Sequence, residues 1–174
     1  MAKLISDEFM QQVVTEQAWK NLSEEFTWTE ALLEKYADKV DWKEISDNRE
    51  IVWTVPMLQK FSKRLDWKKL SEHTCENWFT EAHLETFKNK WDWSEIVSNF
   101  KFSEALIDKY VDYVDWDALI EAHYGALPQD DSFDVVAFYE KYKKYLPMAK
   151  IQTSDLWYRI VKVMEKQLLS EILS

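Results

Sequence analysis

The sequence predicts an all-α chain: a right-handed α-solenoid of five to six units, each about 25 residues long, closed by a C-terminal capping helix. Three observations carry this. Trp recurs at positions 19, 42, 67, 93 and 116, with spacings of 23, 25, 26 and 23, and Asp41, Asp66, Asp92 and Asp115 precede the last four. Six positions before each Trp stands an aromatic or apolar anchor, namely Val13, Tyr36, Phe61, Phe87 and Tyr110. Seven positions earlier stands Ser6, Thr29, Thr54, Thr80 or Ser103. Finally, the chain of 174 residues holds a single Gly, which disfavours tight hairpins and leaves most helices to stop without a Gly cap.

Each repeat is read in the same order. The Ser or Thr caps a helix by accepting a backbone N–H, and the apolar residue before it (Ile5, Trp28, Trp53, Phe79, Phe102) staples the first turn. Pro56 falls within the first turn after Thr54, where its missing N–H costs little. Apolar positions at +3, +4, +7 and +11 from the cap form one stripe, which predicts a helix of about 11–13 residues. Asp then caps a shorter helical turn that opens with Trp. Asp41 with Glu44, and Asp92 with Glu95, fit capping boxes. Three positions after the Trp comes Leu22, Ile45, Leu70, Ile96 or Leu119, on the same face as the Trp.

The first repeat is complete but worn, with Ala18 in place of Asp and Gln17 in place of an apolar residue. Regular repeats run over residues 5–120, all within one domain spanning 1–174. Residues 121–131 read as a loop. A degenerate sixth repeat covers 132–146: Ser132 starts its helix, Val135, Val136 and Tyr139 fill the expected columns, and Tyr145 stands in place of Trp. A capping helix starts at Ser154 or Asp155 and runs over 154–173, with Trp157, Ile160, Val161, Met164, Leu168 and Leu169 as its stripe. The pattern predicts that all five repeat Trp residues are buried in the seam between units.

Charge and composition narrow the function. The net charge is −10, concentrated in residues 1–50 and 101–150, which disfavours direct nucleic-acid binding. Cys75 is the single Cys, so there is no internal disulfide, and a reducing, cytoplasmic compartment is expected. No stretch approaches the ~20 apolar residues of a membrane span, and with no long apolar region in Met1–Glu8 no signal peptide is expected.

The alternation of one α-helix with one short helical turn resembles the leucine-rich-variant repeat solenoids. The run from Leu32 to Ser46, with Asp41-Trp42 at its centre, is similar to Trp-rich tandem repeats found in proteins of unknown function from large DNA viruses and some bacteria. The resemblance covers residues 5–120 and implies architecture. The recurring Asp-Trp pair departs from the leucine-rich-variant pattern, and no catalytic or binding residue transfers.

No catalytic, cofactor-binding or metal-ligating residue is assigned. His73-x-Cys75, with His83 and His123 elsewhere, lacks the convergent ligands and spacing of a zinc motif, and His83 occupies a column otherwise filled by apolar residues. No cofactor is expected. Besides the 121–131 loop, two features break the repeat. Lys60, Lys63, Arg64, Lys68 and Lys69 form a basic island, read either as a face paired with acids of the neighbouring repeat or as a contact patch for an acidic partner. Trp78 has no counterpart in other repeats, and either covers the stack edge or contacts a partner. The resulting expectation is a non-enzymatic protein–protein interaction module whose partner is another protein, with neither nucleic acid nor membrane. The alternative is an acidic inhibitor that occupies the basic site of a nucleic-acid-binding enzyme, motivated by Glu24, Glu25, Glu30 and Glu34 and by Asp108, Asp112, Asp115 and Asp117.

Overall fold

The computed structural model describes residues 7–74, 78–121, 127 and 133–174. Every element among the described residues is helical. Ile5, Ser6, Cys75, His123, Ser132 and nearly all of the 121–131 loop lie outside them. The chain divides into two compact lobes, Met1–Trp91 and Asp92–Ser174, each described by itself.

The first lobe contains α1 (Glu8–Glu25), α2 (Glu30–Lys35), α3 (Trp42–Asp47), α4 (Val55–Phe61), α5 (Trp67–Glu72) and α6 (Glu81–Thr86). The short helices that open with Trp form one row, in which α3 packs against both α1 and α5, while α4 packs against α6. Their starts follow the sequence pattern. Thr29 accepts from Leu32 N, Thr54 from Met57 N, Asp41 from Lys43 and Glu44 N, and Asp66 from Lys68 and Lys69 N. Leu33, Ile45, Leu58, Leu70 and Leu84 form the centre of the core.

The helices that follow the Ser/Thr caps are shorter than the periodicity predicts. They end after six or seven residues, at the anchor or just before it. Tyr36 and Phe87 leave the helix at φ near −120° and ψ near +20°, the bridge region that needs no Gly. No described residue has positive φ. The Tyr36 carbonyl is recaptured by Lys39 N (2.8 Å) and Val40 N (3.1 Å), and Phe87 O likewise by Lys90 N and Trp91 N. These turn bonds keep helical spacing after the helix stops. Val40, Leu65 and Trp91 are therefore buried, as their column predicts.

The first repeat departs further. α1 is one unbroken helix of 18 residues, capped by Asp7. With Ala at position 18 nothing captures the N–H groups of a second helix start, so the helix runs straight through Trp19. Leu22 is 47% exposed rather than buried. The box expected at Asp41 is half formed: Glu44 turns away to Lys20 at 3.2 Å. The reciprocal box is at Thr80, whose N–H is accepted by His83 Nδ1 at 3.2 Å.

A serine four positions after Trp joins successive repeats. Ser46 Oγ donates to Trp42 O (2.7 Å) and accepts Asp66 N (2.9 Å). Ser23 repeats this between Trp19 O and Asp41 N, and both serines are fully buried. Each therefore ties the helix that opens with one Trp to the Asp cap of the next.

All five repeat Trp residues are half-buried, not buried. Each ring meets the anchor of the following repeat: Trp19 on Tyr36 at 5.4 Å, Trp42 on Phe61 at 5.1 Å and Trp67 on Phe87 at 4.9 Å. The residue three past that anchor also reaches the ring. Arg64 lies 5.5 Å from Trp42 and Lys90 lies 5.1 Å from Trp67. The indole N–H groups of Trp42 and Trp67 donate to Ala37 O and Ser62 O. A ring covered partly by a charged side chain stays partly exposed, because the cation keeps its own hydration.

The second lobe contains α7 (Trp93–Asn99), α8 (Glu104–Lys109), α9 (Trp116–Glu121), α10 (Val135–Tyr142), a 3₁₀ turn η1 (Ile151–Thr153) and α11 (Asp155–Leu173). The same step recurs. α7 packs on α9, Trp93 meets Tyr110 at 5.5 Å, and Tyr113 takes the place of the cation at 5.4 Å. The sixth repeat is shifted relative to the sequence reading. Asp134, not Ser132, caps α10, and the anchor is Tyr142, which is buried and meets Trp116 at 5.3 Å. Tyr145 is not a Trp substitute. It stacks on Trp116 at 5.3 Å and 9°, as the counterpart of Tyr113.

Ser154 caps α11 by accepting Trp157 N. α11 packs on η1, α10 and α9, but Leu156 is its one buried residue. Its expected capping stripe is left largely uncovered.

Ser46→Ala removes a buried acceptor and leaves Asp66 N–H unpaired, so it is expected to cost about 1–3 kcal/mol in urea unfolding. Ser98→Ala, at an exposed hydroxyl bonded within its own helix, is expected to cost less than about 0.5 kcal/mol. Equal effects for the two would show that the serine bridge contributes nothing special.

Candidate functional site

The basic island is largely committed to the fold. Lys60 reaches from α4 to the α2 carboxylates of Glu30, at 2.7 Å, and Glu34. Hydrogen bonds to both acids raise its pKa. Arg64 donates to Ala37 O (2.7 Å) and pairs with Asp38 (3.3 Å). Lys69 pairs with Glu72 (3.2 Å) and Asp47 (3.3 Å). Lys63 and Lys68 are exposed. Of the two readings left open by the sequence, pairing with the neighbouring repeat therefore describes Lys60, Arg64 and Lys69. The same geometry recurs in the second lobe, where Lys141 pairs with Asp108 (2.8 Å) and Glu104 (3.3 Å), and Lys150 pairs with Asp117 (2.9 Å).

Trp78 is buried. It packs edge-on against Phe79 at 5.5 Å and against His83 at 5.4 Å. It is a core residue of the first lobe and offers no exposed contact. His83 is also buried, at 7% exposure, in the column that apolar residues fill in the other repeats. Its Nδ1 accepts Thr80 N, which puts the proton on Nε2, 3.2 Å from Trp53 O. Burial pushes its pKa down, and the bond to Trp53 O only partly offsets this.

One cluster was hidden from sequence reading. His73 Nε2 lies 2.7 Å from Asp47 Oδ1, and Asp47, Glu72 and His73 bring their ligand atoms within 4.8 Å of one another. Asp47 ends α3, Glu72 ends α5, and His73 is the residue that caps α5. The His73 side chain is 7% exposed, against 36% for Asp47 and 31% for Glu72. Burial raises the Asp47 pKa, but hydrogen bonds from His73 and Lys69 outweigh it and hold the carboxyl below its usual value. Cys75 lies outside the described residues. Asp47 stands one repeat before His73, and no short motif marks the pair.

Among the described residues, exposed apolar side chains group on α1 and α11, with Phe26, Val52 and Met148 exposed elsewhere. On α1, Phe9, Met10, Val13 and Val14 are exposed beside a hollow of ≈970 Å³ formed with residues 38–41. On α11, Met164, Leu168, Leu169, Ile172 and Leu173 are exposed, the last two at 78% and 84%. Met164, Leu168 and Ile172 recur every four residues and share one face. No described helix is long and apolar enough to cross a membrane. No family model, curated protein or solved structure matches the chain.

Two measurements test these assignments. Lys60→Glu places three carboxylates together and is expected to lower Tm at low salt. The difference should shrink as the Debye length falls from about 30 Å at 0.01 M to about 3 Å at 1 M. Lys63→Glu should leave Tm nearly unchanged. For His83, the folded-state pKa lies below the unfolded value of about 6.5. Its stabilisation is therefore complete above about pH 6.5 and is lost as pH falls toward the folded value. His83→Gln keeps a capping-box residue and should flatten that loss. An unchanged slope of stability against pH between about 7 and 5 would exclude His83 as its source.

Proposed function

We propose that this chain is a non-enzymatic protein–protein interaction module, a helical-repeat scaffold, and that the distal half of α11 is its binding face. The observation that carries the reading is the uncovered stripe of Met164, Leu168 and Ile172 on a helix that is exposed from Met164 onward. About ten residues of helix without tertiary support are marginal in water. Burying the apolar stripe supplies the missing support. The occupant proposed for it is an apolar groove on another protein, in the helix-in-groove mode that reads apolar anchors three and four residues apart along one helix face. The recurrence of the Trp–anchor contact and the cap geometry in both lobes supports a right-handed α-solenoid as the scaffold. The single Cys75 fits a cytoplasmic setting.

The inhibitor reading draws less support. Glu30, Glu34, Asp108 and Asp117 pair with the chain's own lysines. Asp115 accepts Ala118 N at its helix start. Few of the acids that motivate that reading are left to imitate a phosphate backbone.

The test is the double variant Leu168→Glu with Ile172→Glu. Both sites are exposed, so far-ultraviolet circular dichroism and Tm should match the wild type. Affinity capture from source cells should recover a protein with the wild type that the variant loses, and that protein should bind the purified chain with a defined stoichiometry. Identical recoveries from the two chains would overturn the reading. So would sedimentation showing that the wild type buries the stripe against a second copy of itself.

A further inference from the structure

We propose that Asp47, Glu72 and His73 form a divalent-metal site of the zinc class, joining the C-terminal ends of α3 and α5, with Lys69 as the internal competitor for its oxygen atoms. The donor set is one imidazole and two carboxylates. That combination suits zinc and its neighbours in the first transition row, whereas magnesium and calcium prefer oxygen alone. Asp47 and Glu72 occupy equivalent positions of two consecutive repeats, at the ends of helices that pack against each other, and His73 is the residue that follows Glu72. A bound ion would therefore act as a staple between repeats.

The electrostatics already select a cation. Lys69 Nζ lies 3.3 Å from Asp47 Oδ2 and 3.2 Å from Glu72 Oε2. The two carboxylates thus converge on one positive charge. Asp47 also lines a hollow of ≈460 Å³ whose other walls are Glu24, Glu25, Arg49 and Glu50. Three further carboxylates against one guanidinium make that hollow an approach for a cation. The ligand atoms lie within 4.8 Å of one another, and small side-chain rotations bring such atoms to about 2.0–2.2 Å from a common centre. His73 is fixed by burial, whereas Asp47 and Glu72 are partly exposed. The exposed side leaves room for water as a fourth ligand, as in open zinc sites. On binding, the His73–Asp47 hydrogen bond is exchanged for two bonds to the ion. The imidazole proton then sits on Nδ1, and the Lys69 ammonium swings out to solvent on its flexible stem.

Isothermal titration of the metal-free full chain with Zn²⁺ at pH 7 tests this. One ion per chain is expected, with Mg²⁺ giving no comparable heat. Lys69→Met removes the competing charge and should tighten Zn²⁺ by about tenfold or more. His73→Ala should abolish binding while circular dichroism shows the helices intact. Zn²⁺ should raise the Tm of the wild type and of Lys69→Met, but not of His73→Ala. Absence of Zn²⁺ binding in both wild type and Lys69→Met overturns the proposal. Unchanged affinity in His73→Ala overturns it as well.

Discussion

A helix of six residues has more unpaired backbone groups at its ends than bonds inside it, because the first four N–H and the last four C=O groups have no partner within the helix. Among the described residues, six helices have that length. They persist because the chain on either side supplies the missing partners. At the start, an Asp, Ser or Thr oxygen takes one or two N–H groups. At the end of the helices that follow Ser/Thr caps, the anchor carbonyl binds N–H groups from the next turn. In the first lobe the buried Ser23 and Ser46 then hand the end of one Trp helix to the cap of the next. Position in this fold is therefore set by hydrogen bonds to helix ends as much as by apolar area.

The Trp is the point where these devices meet. From Trp42 onward its backbone opens a helix, the indole N–H of Trp42, Trp67 and Trp116 closes back on the preceding turn, and its ring meets the anchor one repeat ahead. The residue three past the anchor shows why the ring is half-buried. Arg64, Lys90, Tyr113 and Tyr145 all reach it. A cation and a tyrosine are interchangeable here because both meet an aromatic ring favourably and both carry a polar end that stays wet. A fully buried Trp would exclude the cations.

Caps, anchors and core columns were legible in the sequence because each depends on residue type at a fixed local spacing. Thr29, Thr54, Asp41, Asp66, Asp92, Ser103 and Ser154 all cap where the pattern places them. The helix lengths were not legible, because a turn bonded from i to i+3 and i+4 preserves the helical period after the helix stops. The unbroken α1 was only half legible: Ala18 signals a lost cap, but the continuous helix follows from what is missing. The sixth register is ambiguous in sequence because Ser132 and Asp134 are both good cap residues, and the packing of Tyr142 on Trp116 goes with the Asp134 cap. The Asp47–His73 pair and the lysine pairs span 26 to 37 residues. Contacts across repeats leave no local trace.

Those same long-range pairs change what the net charge of −10 means for a partner. Lys60 and Lys141 each neutralise acids of the preceding repeat, and exposed pairs of this kind contribute little to stability while still removing charge from the surface field. Association then rests mainly on apolar area. Full burial of a Leu, Ile or Met side chain stabilises by about 1.5–3 kcal/mol. The five exposed apolar residues of distal α11 have roughly half or more of that still to gain, so together they offer on the order of 5–10 kcal/mol. The loss of translational and rotational freedom on association costs about 4–15 kcal/mol. The stripe alone therefore supports only weak binding. A partner that holds this chain firmly must also satisfy polar groups at the rim of α11 or reach a second surface, and Phe9, Met10 and Val13 of α1 are a further exposed apolar group among the described residues.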